Sequence, residues 1–183
     1  FYIATGYKGN HIKKYFQNCK LKKDIKVKCI FTGKDSMTGG RIKRLTKYLD
    51  KTFIATYGDG LSNVNIKNLV NFHNKKKKLV TVTAVRPPAR FGAIKIVKDT
   101  VKYFREKNNL DEGWINGGFF AMDPKFLKYI KNDNTYLEQE PLKNITKKNQ
   151  LVAYKHYGFW QCMDTLRDKE ILERKIKNKE YID

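Results

Sequence analysis

Short apolar, β-branched runs alternate with amphipathic helical stretches along all 183 residues, and that alternation restricts the chain to an α/β sheet with helices packed on it. The clearest run is LVTVTAV at 79–85, whose β-branched residues suit a strand buried on both faces. Further strands are expected at 1–5, 25–31, 52–56, 93–97, 101–105, 115–122 and 151–156. Helices are expected at 11–18, 40–49, 65–74, 124–130, 138–148 and 165–177. In 65–74, Ile66, Leu69, Val70 and His73 fall on one helical face. Pro124 and Pro141 sit where a first helical turn tolerates proline. No internal repeat or low-complexity linker divides the chain, so a single domain over 1–183 is expected.

The formal charge of +21 would ordinarily suggest a nucleic-acid partner. Only seven of the 39 cations are arginine, however, and arginine is the better fork for bases and phosphates. The lysines are spread along the whole chain, and the run at 75–78 falls between a helix and a strand, as a solvated connector does. The charge therefore reads as a lysine-rich surface and argues against nucleic acid. No stretch approaches the roughly 20 apolar residues of a membrane span. Cys19, Cys29 and Cys162 have neither CxxC spacing nor an even count, which fits reduced thiols of a cytoplasmic protein better than a disulfide frame or a zinc site.

Three segments make poor sense as packing alone. In FIATYGDG (53–60), an apolar strand delivers Asp59 at its C-terminal end, the edge where open α/β sheets bind ligands. Gly58 and Gly60 remove side chains that would obstruct a phosphate or a metal; a tight turn with a capping aspartate is an equally good account. In GFWQCMDT (158–165), two aromatics precede Asp164, which could be an N-cap or, with Asp59, a ligand of Mg²⁺. In TG at 32–33 followed by SMTGGR at 36–41, a small, hydroxyl-rich loop runs into a basic helix. Such a helix start offers free N–H groups to an anion or a base edge.

The segments GYKGNHIKKYF (6–16), SMTGGRIKR (36–44), TYGDG (56–60), PPARFGAI (87–94), INGGFF (115–120), EQEPL (138–142) and GFWQCMDTLRDK (158–169) occur here in one order over nearly the whole chain. In that order they resemble the glucose-1-phosphate cytidylyltransferase family of sugar-phosphate nucleotidyltransferases. The resemblance implies a Rossmann-like nucleotidyltransferase fold, with a mixed, mostly parallel sheet and helices on both faces. It also implies a Mg²⁺-dependent reaction of CTP with α-D-glucose 1-phosphate that yields CDP-glucose and pyrophosphate, in a homo-oligomer. Carried over by motif, Asp59 and Asp164 would hold the metal, and Thr38, Gly39, Arg41 and Gly58 would line the nucleotide site. Glu106 and Lys107 match a Glu-Lys step whose lysine binds the sugar phosphate. Asn116, Gly117 and Glu140 would meet sugar hydroxyls, and Arg90 and Gly92 would lie near the sugar.

Two departures accompany the likeness. The family's opening strand and glycine-rich signature loop do not appear ahead of Phe1, and 20–28 is shorter than the family's usual insert. The expectation is an N-terminally incomplete domain that lacks turnover as written and gains it when the loop is restored. The same residues would also suit a nucleotidyltransferase for another sugar phosphate, or an inactive regulatory or scaffold relative.

Overall fold

The computed structural model describes residues 1–87, 93–105 and 113–180. In chain order the first elements are β1 (Tyr2–Thr5), α1 (Gly9–Asn18), β2 (Lys28–Phe31), α2 (Thr38–Arg44), β3 (Phe53–Thr56), β4 (Gly60–Ser62), α3 (Ile66–Lys76) and β5 (Val80–Val85). There follow β6 (Ala93–Val97), β7 (Thr100–Arg105), β8 (Ile115–Met122), α4 (Glu140–Lys147), β9 (Leu151–Lys155), β10 (Trp160–Cys162) and α5 (Leu166–Lys177). They divide into two compact units, Phe1–Phe53 with Asp123–Leu151, and Ile54–Met122 with Val152–Asp183. No helix among the described residues is long and apolar enough to cross a membrane.

The first unit opens with a β–α–β step in which β1 and β2 pair in parallel, Tyr2 opposite Lys28 through Thr5 opposite Phe31. Two buried threonines close the end of that ladder: Thr5 Oγ1 donates to the Ile30 carbonyl and Thr32 Oγ1 to the Thr5 carbonyl, each at 3.1 Å. The core of this unit comes from Phe126, Leu127, Ile130, Leu137 and Ile145, with Leu45 from the turn after α2. Residues 124–129 form a 3₁₀ helix instead of the expected α-helix. Asp123 caps it by accepting from the Lys125 amide at 2.7 Å, and Pro124 occupies its first turn. The helix expected at 40–49 begins earlier, at Thr38, and gives way after Arg44 to a 3₁₀ turn at Thr46–Tyr48. There the Thr46 hydroxyl takes the Lys43 carbonyl, a side-chain bond that competes with continuing the helix.

The second unit is built on a four-stranded sheet in the order β3–β8–β5–β9. Its central strands β5 and β8 run antiparallel, with Val80 opposite Met122 and Val85 opposite Ile115. Both are heavily buried: Val80, Thr81, Thr83, Val85, Phe120, Ala121 and Met122 are all at most 1% exposed. Burial of polar Thr81 is satisfied by the Nδ1 of buried His73 on α3, 2.9 Å from its hydroxyl. Helix α3 starts on Asn65, whose side chain accepts from the Asn68 amide, and buries Leu69 on the sheet side. β6 and β7 form an antiparallel hairpin turning at Lys98 and Asp99, with Lys98 in the left-handed region at φ 52°. β4 and β10 form a second antiparallel ribbon, pairing Trp160 with Ser62 and Cys162 with Gly60.

Candidate active site

The second unit contains an open cleft of ≈ 390 Å³ whose lining includes Asp59, Asn116, Gly117, Trp160 and Asp164. The β4–β10 ribbon carries both carboxylates. Beyond its last pair, Cys162 opposite Gly60, the Met163 amide donates to the Asp59 carbonyl at 2.8 Å. That bond extends the ladder by one step and sets Asp59 and Asp164 on the same rim. Ser62 Oγ donates to the Phe159 carbonyl at 2.8 Å and the Asn63 amide donates to the same carbonyl at 3.1 Å, which fastens the ribbon's other end.

Asp164 is not the N-cap of α5. Thr165 caps that helix by accepting from the Asp168 amide, while the Asp168 carboxylate accepts from the Thr165 amide and hydroxyl at 3.0 and 2.8 Å. With this reciprocal box in place, the Asp164 carboxylate is spared for the cleft. Among the described residues, neither Asp59 nor Asp164 makes a side-chain hydrogen bond or an ion pair, and both are exposed. Among the described residues, no group of three or more histidine, cysteine, aspartate or glutamate side chains forms a metal-binding cluster. Two carboxylates with open positions suit Mg²⁺, which keeps several waters and completes its shell with substrate phosphates. A Cβ on Gly58 would meet nothing within 4 Å, so the backbone beside Asp59 is openly accessible.

The wall of the cleft is the Asn116, Gly117, Gly118 segment of β8. Gly117 packs so tightly on β5 that a Cβ there would lie 2.7 Å from Val85 Cγ1. Gly118 adopts φ +77°, with the Tyr57 ring where its Cβ would be. The Asn116 side chain accepts from the Gly118 amide at 2.9 Å and donates to the Tyr57 hydroxyl at 3.3 Å. Beside the cleft residues Pro87 and Ile115, Arg86 and Trp114 are neighbours, with the Arg86 guanidinium 5.1 Å and the Lys155 ammonium 5.4 Å from the Trp114 ring centre. Two cations at this end of the sheet favour an anionic ligand.

Thr38, Gly39 and Arg41 belong to the first unit, where the structure overturns the expectation of free N–H groups. The Met37 amide donates to the Asp133 carbonyl at 2.8 Å, and those of Gly39 and Gly40 donate to the Thr135 carbonyl at 3.0 and 3.2 Å. Thr38 Oγ1 donates to Glu138 and accepts from the Leu137 amide, both at 2.9 Å. The Arg41 guanidinium donates to the carbonyls of Thr5, Gly33 and Lys34 and to the Thr32 hydroxyl. The glycines are there for close approach: a Cβ on Gly39 would lie 2.7 Å from the Thr135 carbonyl oxygen, and one on Gly40 would collide with the Asp133 backbone. Partners some 95 positions away satisfy this turn, which no local pattern could announce.

Glu140, also in the first unit, opens α4 and pairs with Lys131 at 2.8 Å; the ammonium holds its carboxyl below the ordinary range. Asp133 is lowered likewise by the bidentate grip of Arg44, whose Nε donates at 2.8 Å. Arg90, Gly92, Glu106 and Lys107 lie outside the described residues. Sequence reasoning passed over Tyr57 and Trp160 as cleft residues. The block at 158–165 was a signal, but a strand of three residues is too short to show a period.

A family model described as "Nucleotidyl transferase" matches residues 1–166. The chain is 43% identical to the glucose-1-phosphate cytidylyltransferase of Salmonella typhi, over 94% of this chain and 76% of that one. It is 38% identical to the probable glucose-1-phosphate cytidylyltransferase of Bacillus subtilis (strain 168), over 92% and 74%. Among solved structures, HddC from Yersinia pseudotuberculosis superposes with a TM-score of 0.73 at 20% identity, covering 96% of this chain and 77% of HddC. At that identity the likeness establishes the fold alone.

Proposed function

Because this chain belongs to the nucleotidyl transferase family, and within it to the glucose-1-phosphate cytidylyltransferases, we propose that it transfers the cytidylyl group of CTP to α-D-glucose 1-phosphate. A phosphate oxygen of the sugar phosphate bonds to the α-phosphorus as the bond to the departing pyrophosphate breaks. The nucleophile is already an anion, so no general base is needed. What the protein must supply is in-line alignment and neutralisation of charge.

The observation that supports this most is the meeting, in one cleft, of the Asn116 amide with two carboxylates that are unengaged among the described residues. Asp59 and Asp164 would hold Mg²⁺, which when bound offsets the charge of the phosphates. Asn116 and Gly117 would meet the sugar hydroxyls. Lys107, next to Glu106, is assigned the sugar phosphate on the resemblance, with Arg90 and Gly92 nearby. Thr38, Gly39 and Arg41 are assigned the reading of cytosine, by a turn already rigid before ligand arrives. A sugar contact for Glu140 has to displace Lys131, a pair exposed enough for the exchange to be cheap. No disulfide joins Cys19, Cys29 and Cys162, which suits a reducing compartment such as the cytoplasm.

The test is pyrophosphate release by the full-length protein with Mg²⁺, comparing CTP, UTP and GTP against glucose, mannose and galactose 1-phosphates. CTP with glucose 1-phosphate should be the best pair. Turnover with UTP or GTP but none with CTP would refute the assignment.

A further inference from the structure

The wall of the cleft is a bulge fastened by side chains. β8 places Gly117, Gly118 and Phe119 opposite Thr83 alone, between the pairs Ala84–Asn116 and Val82–Phe120. The peptide joining two glycines meets little steric resistance to flipping. Here both of its polar ends are taken. Its carbonyl, on Gly117, accepts from Trp160 Nε1 at 2.8 Å, and its amide, on Gly118, donates to Asn116 Oδ1 at 2.9 Å.

That second bond settles which way the Asn116 amide faces, since only the oxygen can accept an N–H. The nitrogen then points to the Tyr57 hydroxyl, 3.3 Å away. Asn116 is left with one N–H and one lone pair at fixed places on an exposed face of the cleft. A flipped peptide would withdraw the Gly118 amide, and the Asn116 group could then rotate and exchange its donor and acceptor. Hydroxyl groups of a sugar read by that amide would lose a fixed partner.

We propose that Trp160 is a positioning residue: its indole N–H holds the peptide between Gly117 and Gly118 in the one orientation that fixes the Asn116 amide, and thereby sets selectivity for the hydroxyl pattern of the sugar phosphate. The proposal rests on reading this cleft as the sugar-phosphate site. It does not require Trp160 to touch the substrate. Trp160→Phe keeps an aromatic ring and removes the donor together with the pyrrole half of the indole, so a loss of packing is told from the loss of the N–H by thermal stability.

The test compares wild type with Trp160→Phe and, as a second variant, Tyr57→Phe, in the full-length protein. For Trp160→Phe the KM for glucose 1-phosphate should rise about five- to tenfold, as loss of one hydrogen bond implies. The KM for CTP and kcat should move less than about twofold, and the preference for glucose over galactose 1-phosphate should shrink by a similar factor. Tyr57→Phe should move the same quantities in the same direction by less. An NMR arm needs no substrate: the Gly118 amide should be protected from exchange in wild type and lose protection in Trp160→Phe. Unchanged Gly118 protection, or an unchanged sugar-phosphate KM and preference, would overturn the proposal. So would a parallel fall of kcat, both affinities and thermal stability. A wild type that ignores glucose 1-phosphate would instead sink the functional reading, with the exchange experiment still deciding the role of Trp160.

Discussion

The Met163 amide and the Asp59 carbonyl are 2.8 Å apart, and this bond brings two distant segments to one rim. It carries the β4–β10 pairing one step beyond the strands, and Asp59 and Asp164 both line the cleft at that end of the ribbon. Because their carboxylates are exposed and, among the described residues, unengaged, their removal should affect ligand binding and leave folding nearly untouched. Mn²⁺ can stand in for Mg²⁺ as a paramagnetic probe. Asp164→Asn should weaken its binding by at least the roughly tenfold that even an outer-shell partner is worth. The melting temperature should stay put. Broadening centred away from the Asp59 and Met163 amides would contradict the site.

Arg41 is expected to matter for stability as well as for nucleotide choice. Its fork serves four acceptors, among them the fully buried Thr32 hydroxyl, and a lysine ammonium cannot reproduce that geometry. Arg41→Lys should cost about 1–3 kcal/mol in denaturant unfolding. It should also reduce the preference for CTP over UTP, which differ by a donor amine against an acceptor oxygen. An unaltered unfolding midpoint would contradict the bracing role, and unaltered selectivity would contradict the base-reading role.

Gly40→Ala tests the seating of α2 on the segment at 133–135. An added Cβ collides with the Asp133 backbone, which cannot retreat as a flexible side chain would. Overpacking of this kind costs about 1–3 kcal/mol, seen as a lower midpoint of unfolding. A protein as stable as wild type would mean that the two segments are loosely held.

The acid side of the stability profile has a definite sign. Asp133 and Glu140 ionise below their ordinary values of 3.8 and 4.5, through Arg44 and Lys131 respectively. A carboxylate whose folded pKa is depressed contributes fully above the unfolded value and loses that contribution as pH falls through the folded one. Stability should therefore decline as pH drops below about 4.5, and Asp133→Asn should flatten part of that decline. Both pairs are well exposed, so added salt should shrink the effect. A decline of equal depth in Asp133→Asn would show that its carboxylate is not responsible.

Much of this architecture is written locally. The β-branched run at 79–85 gives β5, and β8 has the bounds 115–122 expected from INGGFFAM. Asp59, three positions beyond the end of an apolar strand and between two glycines, lines the cleft. What local pattern could not carry is whatever depends on partners far along the chain. The three-residue strands β4 and β10 are too short for a period and exist through each other. The turn at 36–41 looked like an open anion cradle because its satisfying carbonyls, on Asp133 and Thr135, lie far away in sequence. Nothing local to Trp160 announces that its indole nitrogen donates to the Gly117 carbonyl, 43 positions away.

The central claim is that Asp59 and Asp164 work as one metal-holding unit in cytidylyl transfer. Its most direct measurement is the rate of pyrophosphate release from CTP and glucose 1-phosphate by the full-length protein and its Asp59→Asn, Asp164→Asn and double variants. Residues that act as a unit are non-additive, so each single variant should lose activity by about a hundredfold or more, and the double variant little beyond that. Single variants with near wild-type rates, or losses that multiply in the double variant, would contradict it.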